Sequence, residues 1–182
     1  MKKVFMFVNV DWFFLSHRLP IAKAAQKNNI DMTVYTEFTR SHNKNLLDGF
    51  NLLSSPMRRR SKSVLHFILE FAKVYKIIQI GKPNLIHAVT IKPILVMGVI
   101  ARLTSTPFIG SISGLGPVFR ADNFFAKLRL WIVLRIFRLV FQRKDASVIC
   151  QNCHDRDFLV SHDLCPIEKI ILINGSGVDL EN

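Results

Sequence analysis

Short, unbroken apolar runs alternate with longer amphipathic segments along this chain, and that alternation constrains the fold most. Residues 4–10 and 85–89 are typical runs: they are too short for helices and rich in β-formers, as expected of strands buried on both faces. Strands that alternate with helices predict a doubly wound, Rossmann-like parallel sheet of the α/β class. The predicted strands cover residues 4–10, 32–36, 50–53, 85–89, 107–113, 147–150 and 170–173. The predicted helices cover residues 16–27 (with Ser16 as N-cap), 64–80, 94–103, 124–142 and 155–162.

Ligands of such sheets bind at the carboxyl ends of the strands. The candidate site therefore lies in the loops at residues 9–18, 36–40, 87–92 and 113–119. Gly114 and Gly116 follow a strand but do not open a six-residue dinucleotide fingerprint, so no nicotinamide cofactor is expected.

The charge balance indicates an anionic partner. The 182 residues, a length that suits one domain, include 25 Lys and Arg against 13 Asp and Glu, a net charge of +12. Residues 57–82 and 119–144 each carry seven basic residues and one acidic residue, whereas residues 145–182 carry two basic and seven acidic residues. Nucleic acid, a phosphate-bearing ligand or a membrane surface would suit this charge, and solubility alone would also account for it. No nucleic-acid-binding module is recognisable, so nucleic acid is not expected as a partner.

Two segments imitate signals of export or of a cofactor. The basic, apolar start resembles a signal peptide, but Asn9 and Asp11 interrupt it, and no apolar run reaches the roughly 18–20 residues that span a bilayer. Cys150 and Cys153, followed by a histidine, match a haem-attachment string and could also contribute to a zinc site. Because Cys150 ends a predicted buried strand, we expect core thiols in a reducing compartment, with neither metal nor haem.

The long predicted helix at 124–142 carries a basic stripe. Lys127, Trp131, Arg135 and Arg138 fall within an arc of about 80° at 100° per residue, and the rest of the helix is almost wholly apolar. Cations beside a tryptophan suit the headgroup region of an anionic membrane, and an ordinary packed helix with a solvated stripe is the alternative. The basic loop formed by Arg58, Arg59 and Arg60 would add a second membrane-facing patch.

Five strings, in this order and spacing, resemble one protein family. They are His17-Arg-Leu-Pro20 after the first strand, His87-Ala-Val-Thr-Ile-Lys-Pro93 after the fourth, Ser111-Ile-Ser-Gly-Leu-Gly116 after the fifth, Gln151-Asn-x-x-Asp-Arg-Asp157 after the sixth, and Asn174-Gly-Ser-Gly-Val-Asp179 at the end. Together they resemble the N-terminal domain of family-4 retaining glycosyltransferases, closest to the bacterial enzymes that build capsule, exopolysaccharide and O-antigen.

The resemblance implies half of a GT-B enzyme, in which two Rossmann-like domains face each other across a cleft. It implies that residues 1–182 form the acceptor-side domain and that the C-terminal, donor-binding half is absent from this sequence. The complete enzyme would transfer a sugar from a nucleotide sugar to a glycan on polyprenyl diphosphate, at the inner face of the cytoplasmic membrane. The chain would then be inactive alone, as a truncation, an excised domain or one subunit of a split enzyme. A non-catalytic module that binds anions or lipids is the alternative.

Each cleft residue has a functional and a plain structural interpretation. Gly114 and Gly116 would let backbone approach a diphosphate, or they form an ordinary tight turn. Arg18, near a helix N-terminus, would bind an anion, or it is a solvated charge. His87 would hydrogen-bond a sugar hydroxyl, or it is a buried structural histidine. Asp11 would accept an acceptor hydroxyl, or it caps a turn. The cleft candidates are completed by His17, Thr90 and Lys92, and no general base is assigned.

The open cleft face predicts poor solubility or self-association of the isolated chain. Trp12, Phe13 and Phe14 follow the first strand and would be exposed beside the cleft if no second domain covered it.

Overall fold

A seven-stranded parallel sheet forms the centre of the molecule in the computed structural model, which describes residues 1–39, 50–57, 64–119 and 123–175. The strand order is β3-β2-β1-β4-β5-β6-β7, and every neighbouring pair runs parallel. The chain thus reverses its direction of travel across the sheet between β1 and β4, as in doubly wound α/β folds. The fold class predicted from the sequence is confirmed.

The strands are β1 Lys2–Val10, β2 Ile30–Glu37, β3 Asn51–Ser54, β4 Leu85–Val89, β5 Phe108–Ile112, β6 Ala146–Cys150 and β7 Ile170–Leu172. The helices are α1 Asp11–His17, α2 Leu19–Lys27, α3 Val64–Gly81, α4 Ile91–Leu103, α5 Phe124–Phe141 and α6 Cys153–Ser161. Two short 3₁₀ turns lie at Gly116–Phe119 and Ile167–Lys169.

The central strand β1 separates two layers of apolar side chains. Its register pairs Phe7 with Tyr35 of β2 and with Ala88 of β4, so β1 is hydrogen-bonded on both sides. Because side chains alternate across a strand, Phe5 and Phe7 join the larger core under α3, α4 and α5, whereas Met6 and Val8 join a smaller core under α1 and α2. The unbroken apolar run in the sequence reflects this burial on both faces.

Helices α4 and α5 cross at close range because α4 has a glycine at the contact. A Cβ atom placed on Gly98 would lie 2.6 Å from both methyl groups of Val140. Packing at this density leaves no room for an added methyl group unless the helices separate.

The start of the first helical segment differs from the prediction. Residues 11–27 form two helices, and Ser16 lies inside the first, where its hydroxyl donates to the carbonyl of Trp12 at 2.8 Å. The prediction that Ser16 is the N-cap is therefore wrong. The second helix begins at Leu19, with Arg18 as its N-cap residue and Pro20 in its first turn, where proline's fixed φ and missing N–H are tolerated.

Among the described residues, no helix is both long and apolar enough to cross a membrane.

Candidate functional site

The carboxyl edge of the sheet brings together residues from β1, β4 and β5. Arg18 arrives from the helix pair after β1, His87 lies in β4, and Ser111 and Ser113 lie in and after β5. Because β1, β4 and β5 are adjacent and parallel, their carboxyl ends meet at one place, so residues distant in sequence become neighbours there.

Arg18 is a buried cation without an anionic partner in the described part of the chain. Its side chain is only 4% exposed. The guanidinium donates to the carbonyl of His17 at 3.2 Å and, over a longer 3.5 Å, to the hydroxyl of Ser113, and it lies 5.8 Å from the ring centre of Phe13. Its Nε has no hydrogen-bond partner. Burial lowers the pKa of Arg18, and the group nevertheless stays charged at neutral pH because an arginine starts from a very high pKa.

His87 is buried beside this cation and is neutral. Its Nε2 is hydrogen-bonded to the hydroxyl of Ser111 at 2.7 Å. Burial, and then the nearby charge of Arg18, lower the pKa of His87 to about 4. An uncharged imidazole can give or accept a hydrogen bond without adding charge, so the site combines one fixed positive charge with neutral polar groups.

The turn from β4 into α4 is strained and tied to β1. Thr90 has φ 74° and ψ 163°, a left-handed conformation that is a genuine outlier for a β-branched residue. Its hydroxyl accepts a hydrogen bond from the side-chain amide of Asn9 at 2.6 Å. Strain of this kind persists only where the surroundings impose it, and such sites often bind ligands.

The loop after β5 presents backbone to open space. Gly114 and Gly116 have φ angles of 136° and 59°, which only glycine adopts freely. A Cβ at either position would meet no atom within 4 Å, so the glycines are required by backbone conformation and not by crowding. The turn that the sequence predicted is present, and its open side leaves room for a ligand.

The other predicted cleft residues are engaged within the chain. Asp11 is fully buried and accepts hydrogen bonds from the amide of Trp12 and from both the amide and the hydroxyl of Thr39, so it joins the ends of β1 and β2. His17 stacks on Phe13 with ring centres 4.4 Å apart. Lys92, in the first turn of α4, lies 3.7 Å from a carboxylate oxygen of Glu70 in α3.

Three polar residues of the site, Asn9, Ser111 and Ser113, were not named as cleft candidates, although Asn9 and Ser113 lie within the predicted loops at residues 9–18 and 113–119. Ser111 and Ser113 lie in the string that carried the family resemblance, and Asn9 interrupts the apolar run of β1. A polar residue near the carboxyl end of a buried strand was the signal that could have identified them.

Helix α5 exposes more apolar surface than its sequence pattern indicated. Its fully buried side chains are Val133, Phe137, Val140 and Phe141. The exposed side chains are Phe124, Phe125, Lys127, Leu128, Arg129, Trp131, Ile132, Arg135 and Leu139, with Arg138 partly exposed. The basic stripe is therefore set among large apolar groups, and no acidic side chain occurs in the helix. Arg58, Arg59 and Arg60 lie outside the described residues.

The aromatic cluster after β1 is only partly open. Trp12 is 47% exposed and Phe13 is half-buried, but Phe14 is fully buried in the smaller core. The expectation that Phe14 lies exposed is wrong, because α1 turns it under the sheet, where it packs near Phe50. Self-association of the chain stays a prediction.

Cys150 lies at the carboxyl end of β6, where it pairs with Ile112 of β5. Cys150 and Cys165 are buried and Cys153 is exposed, and all three are free thiols. Within the described ranges, no three His, Cys, Asp or Glu side chains are grouped closely enough to hold a metal ion.

The fold is that of one half of a GT-B protein, as comparison with solved structures shows. UDP-GlcNAc 2-epimerase from Methanocaldococcus jannaschii superposes with a TM-score of 0.65 at 13% identity, over 95% of this chain and 45% of that one. MurG from Acinetobacter baumannii superposes with a TM-score of 0.60 at 14% identity, over 99% of this chain and 47% of that one. Anabaena Alr3699/HepE, solved in complex with UDP and glucose, superposes with a TM-score of 0.62 at 16% identity, over 100% of this chain and 46% of that one. The chain spans a little under half the length of these proteins.

The sequence itself identifies the family. The model of the glycosyl transferase 4-like family matches residues 3–152, which include β1 through β6 and the whole candidate site. The chain therefore belongs to the glycosyl transferase 4-like family, and the resemblance drawn from its motifs is confirmed. A search of curated protein sequences found no match.

Proposed function

We propose that this chain is the acceptor-side domain of a glycosyltransferase that moves a sugar from a nucleotide sugar to a lipid-linked glycan. The observation that carries the proposal is the buried guanidinium of Arg18, which has no carboxylate partner in the described chain and lies beside the neutral His87. A buried charge is costly unless it is paired, so such a cation is suited to a ligand that brings the negative charge.

A diphosphate is the ligand that fits this site best. Glycosyl transfer breaks the bond between the sugar and a phosphate oxygen, forms a bond to an acceptor hydroxyl and releases a proton, so negative charge grows on the departing diphosphate. Preorganised cations and backbone N–H groups stabilise charge of this kind. Arg18 would supply the cation, and the open backbone at Gly114 and Gly116 would let the diphosphate approach closely. His87 would form a hydrogen bond to a sugar hydroxyl. Two of the similar structures contain related ligands: Alr3699/HepE holds UDP and glucose, and the Neisseria meningitidis epimerase holds UDP-GlcNAc.

A second, donor-binding half completes the proposed enzyme. The similar structures are about twice as long as this chain, which supports a partner domain that faces the carboxyl edge of the sheet. The acceptor would be a glycan on polyprenyl diphosphate, made for a bacterial surface polysaccharide such as capsule or O-antigen. In this proposal the chain alone transfers no sugar.

The test is a transfer assay with both halves present. The 182-residue chain is co-expressed with a polypeptide that carries a donor-binding half, and radiolabelled sugar from a nucleotide sugar is counted in the polyprenyl diphosphate fraction. We expect transfer only when both halves are present. Arg18→Gln should lower transfer roughly 100-fold, since preorganised charges of this kind contribute about that much to a rate. Lys23→Gln, an exposed charge of α2, is the matched control and should stay within about twofold. Transfer that is insensitive to Arg18→Gln would contradict the assigned role.

We also propose that the domain lies on the inner face of the cytoplasmic membrane through α5. The support is the mixture of exposed apolar and basic side chains on one helix without an acidic residue, a composition suited to an anionic bilayer surface. The double substitution Phe125→Ser and Ile132→Ser should abolish sedimentation with anionic liposomes, while Ile21→Ser on α2 should leave it unchanged. Equal sedimentation of the unsubstituted chain, the double variant and Ile21→Ser would refute the membrane proposal.

A further inference from the structure

A groove lined by four arginines lies between the C-terminal halves of α4 and α5. It encloses about 640 Å³. The arginines are Arg102 from α4, Arg135 and Arg138 from α5, and Arg143 just beyond α5, and the remaining lining residues are Ile136, Leu139 and Gln142. This groove is separate from the candidate cleft, because the C-terminal ends of α4 and α5 lie at the amino edge of the sheet, just before β5 and β6. Since α5 rises 1.5 Å per residue over 18 residues, its two ends are about 27 Å apart.

The groove holds more positive charge than the described residues neutralise. Arg138 lies 3.6 Å from the carboxylate of Asp163, and Arg143 is paired with Asp145. Neither Arg102 nor Arg135 has a carboxylate partner among the described residues.

Three of the four arginines, Arg102, Arg135 and Arg143, still have N–H groups without a carboxylate partner in the part of the chain that the structure describes. Arg102 donates to the carbonyl of Leu139 at 3.3 Å, and the guanidinium of Arg135 lies 5.2 Å from the ring centre of Trp131. Arg143, although paired through Nη2, has a buried Nη1 without a hydrogen-bond partner. Guanidinium groups with unused N–H donors match the oxygens of a phosphate, which can accept two parallel hydrogen bonds from each fork.

The groove continues into an apolar and aromatic neighbour. A smaller cavity of about 250 Å³ shares Arg135 and Arg138 with the groove, and its remaining lining is Trp131, Leu134, His162 and Leu164. A phosphate site that adjoins the exposed Trp131 and an apolar lining suits an amphiphile better than a free ion, because the apolar part also finds a surface.

We propose that the α4–α5 groove binds the headgroup phosphates of anionic membrane lipids. The inference rests on the proposed membrane association of α5 and adds the site that recognises the lipid. With phosphates held at the C-terminal end of α5 and apolar side chains exposed along the same helix, α5 lies flat on the bilayer.

The test measures binding to vesicles of phosphatidylglycerol and, separately, of phosphatidylcholine. The 182-residue chain should sediment with the first and not with the second. Arg102→Gln combined with Arg135→Gln should weaken binding to phosphatidylglycerol roughly 30-fold, from two headgroup contacts. Lys23→Gln combined with Lys27→Gln removes the same charge from α2 and should change binding less than about threefold. Since all four side chains are exposed, each variant should unfold at the temperature of the parent.

A second measurement distinguishes lipid from free phosphate. In a Trp12→Phe background the remaining tryptophan, Trp131, reports directly on the groove through its contact with Arg135. Phosphatidylglycerol vesicles should shift its emission to the blue, and inorganic phosphate at millimolar concentration should not change it. Saturable quenching by inorganic phosphate without vesicle binding would overturn the lipid assignment.

The outcomes separate this inference from the proposals on which it rests. Equal loss of binding in the groove variant and in the α2 control would mean that only net charge matters, and it would overturn the groove. Unchanged binding in the groove variant would also overturn it, while leaving membrane association by α5 intact. Absence of vesicle binding by the parent chain would overturn both membrane proposals and leave the sugar-transfer proposal to its own assay.

Discussion

Replacing Arg18 by methionine should stabilise the free domain and remove its response to diphosphate. The guanidinium is almost fully buried, and no carboxylate neutralises it within the described chain. An uncompensated buried ion costs several kcal/mol of folding free energy. Against that, the side chain makes two hydrogen bonds, at 3.2 Å and 3.5 Å, each contributing about 1 kcal/mol, and a contact with the ring of Phe13 that contributes less.

The difference of these terms sets the expected size of the effect. Methionine has an unbranched chain that fills the same space, so little cavity cost is added. We expect a gain of about 2 kcal/mol, which corresponds to roughly 4–8 °C in Tm for a domain of this length. For the unsubstituted chain, inorganic diphosphate at a hundred times its Kd should add about 2.7 kcal/mol, and for Arg18→Met it should add nothing.

Urea denaturation with and without inorganic diphosphate measures both quantities, with Lys23→Met as the exposed control. A second readout is the NMR titration of His87. Because the charge of Arg18 helps to lower the pKa of His87 to about 4, its removal should raise that pKa. The reasoning is refuted if Arg18→Met destabilises the free domain by more than about 1 kcal/mol, or if diphosphate stabilises the variant as much as the parent.

Three further outcomes follow from the structure. The free energy of unfolding should fall by up to about 3 kcal/mol as the pH drops from 6.5 to 4, because in that window the unfolded chain protonates His87 and the folded chain does not. The variant His87→Asn should flatten this part of the stability–pH profile. An unchanged slope in the variant would contradict the assigned role of His87. Gly98→Ala should lower the free energy of unfolding, measured by urea denaturation, by about 1–2 kcal/mol, because the added methyl group would press on Val140. This loss is expected although alanine favours helices over glycine. A net gain in stability would show that α4 and α5 can separate freely. In the native protein a thiol reagent should label Cys153 alone at pH 8, because burial raises the pKa of the other two thiols to about 12, and fast labelling of all three would place those thiols at the surface.

Hydrophobic patterning predicted the sheet well because parallel strands are buried on both faces. The strand at Leu85–Val89 was predicted to the residue, and the other strands to within about two residues at each end. Helix boundaries were less well predicted where local signals competed. Pro93 suggested that α4 begins at residue 94, but the helix begins at Ile91, three residues earlier, because Thr90 takes the cap position in a left-handed conformation that no sequence rule anticipates.

The candidate site was predictable in its location and not in its contacts. The carboxyl edge followed from topology alone, and it does contain Arg18 and His87. Their protonation could not be predicted, because burial in the folded chain sets the pKa of His87 and a sequence does not give the depth of a side chain. The contact of Lys92 with the carboxylate of Glu70 could not be predicted either. Glu70 belongs to α3, and the position of that helix depends on how the whole sheet is assembled.

The contact between Asn9 and Thr90 limits how this family can vary at two positions. Glycine at position 90 would relieve a backbone strain of about 1–3 kcal/mol, but it would remove the hydroxyl that accepts from Asn9, worth about 1 kcal/mol. The two terms oppose each other, so neither residue is optimal by itself and each is favoured only while the other is present. We expect the pair to change together in evolution: relatives with glycine at the position of Thr90 should have lost the amide at the position of Asn9.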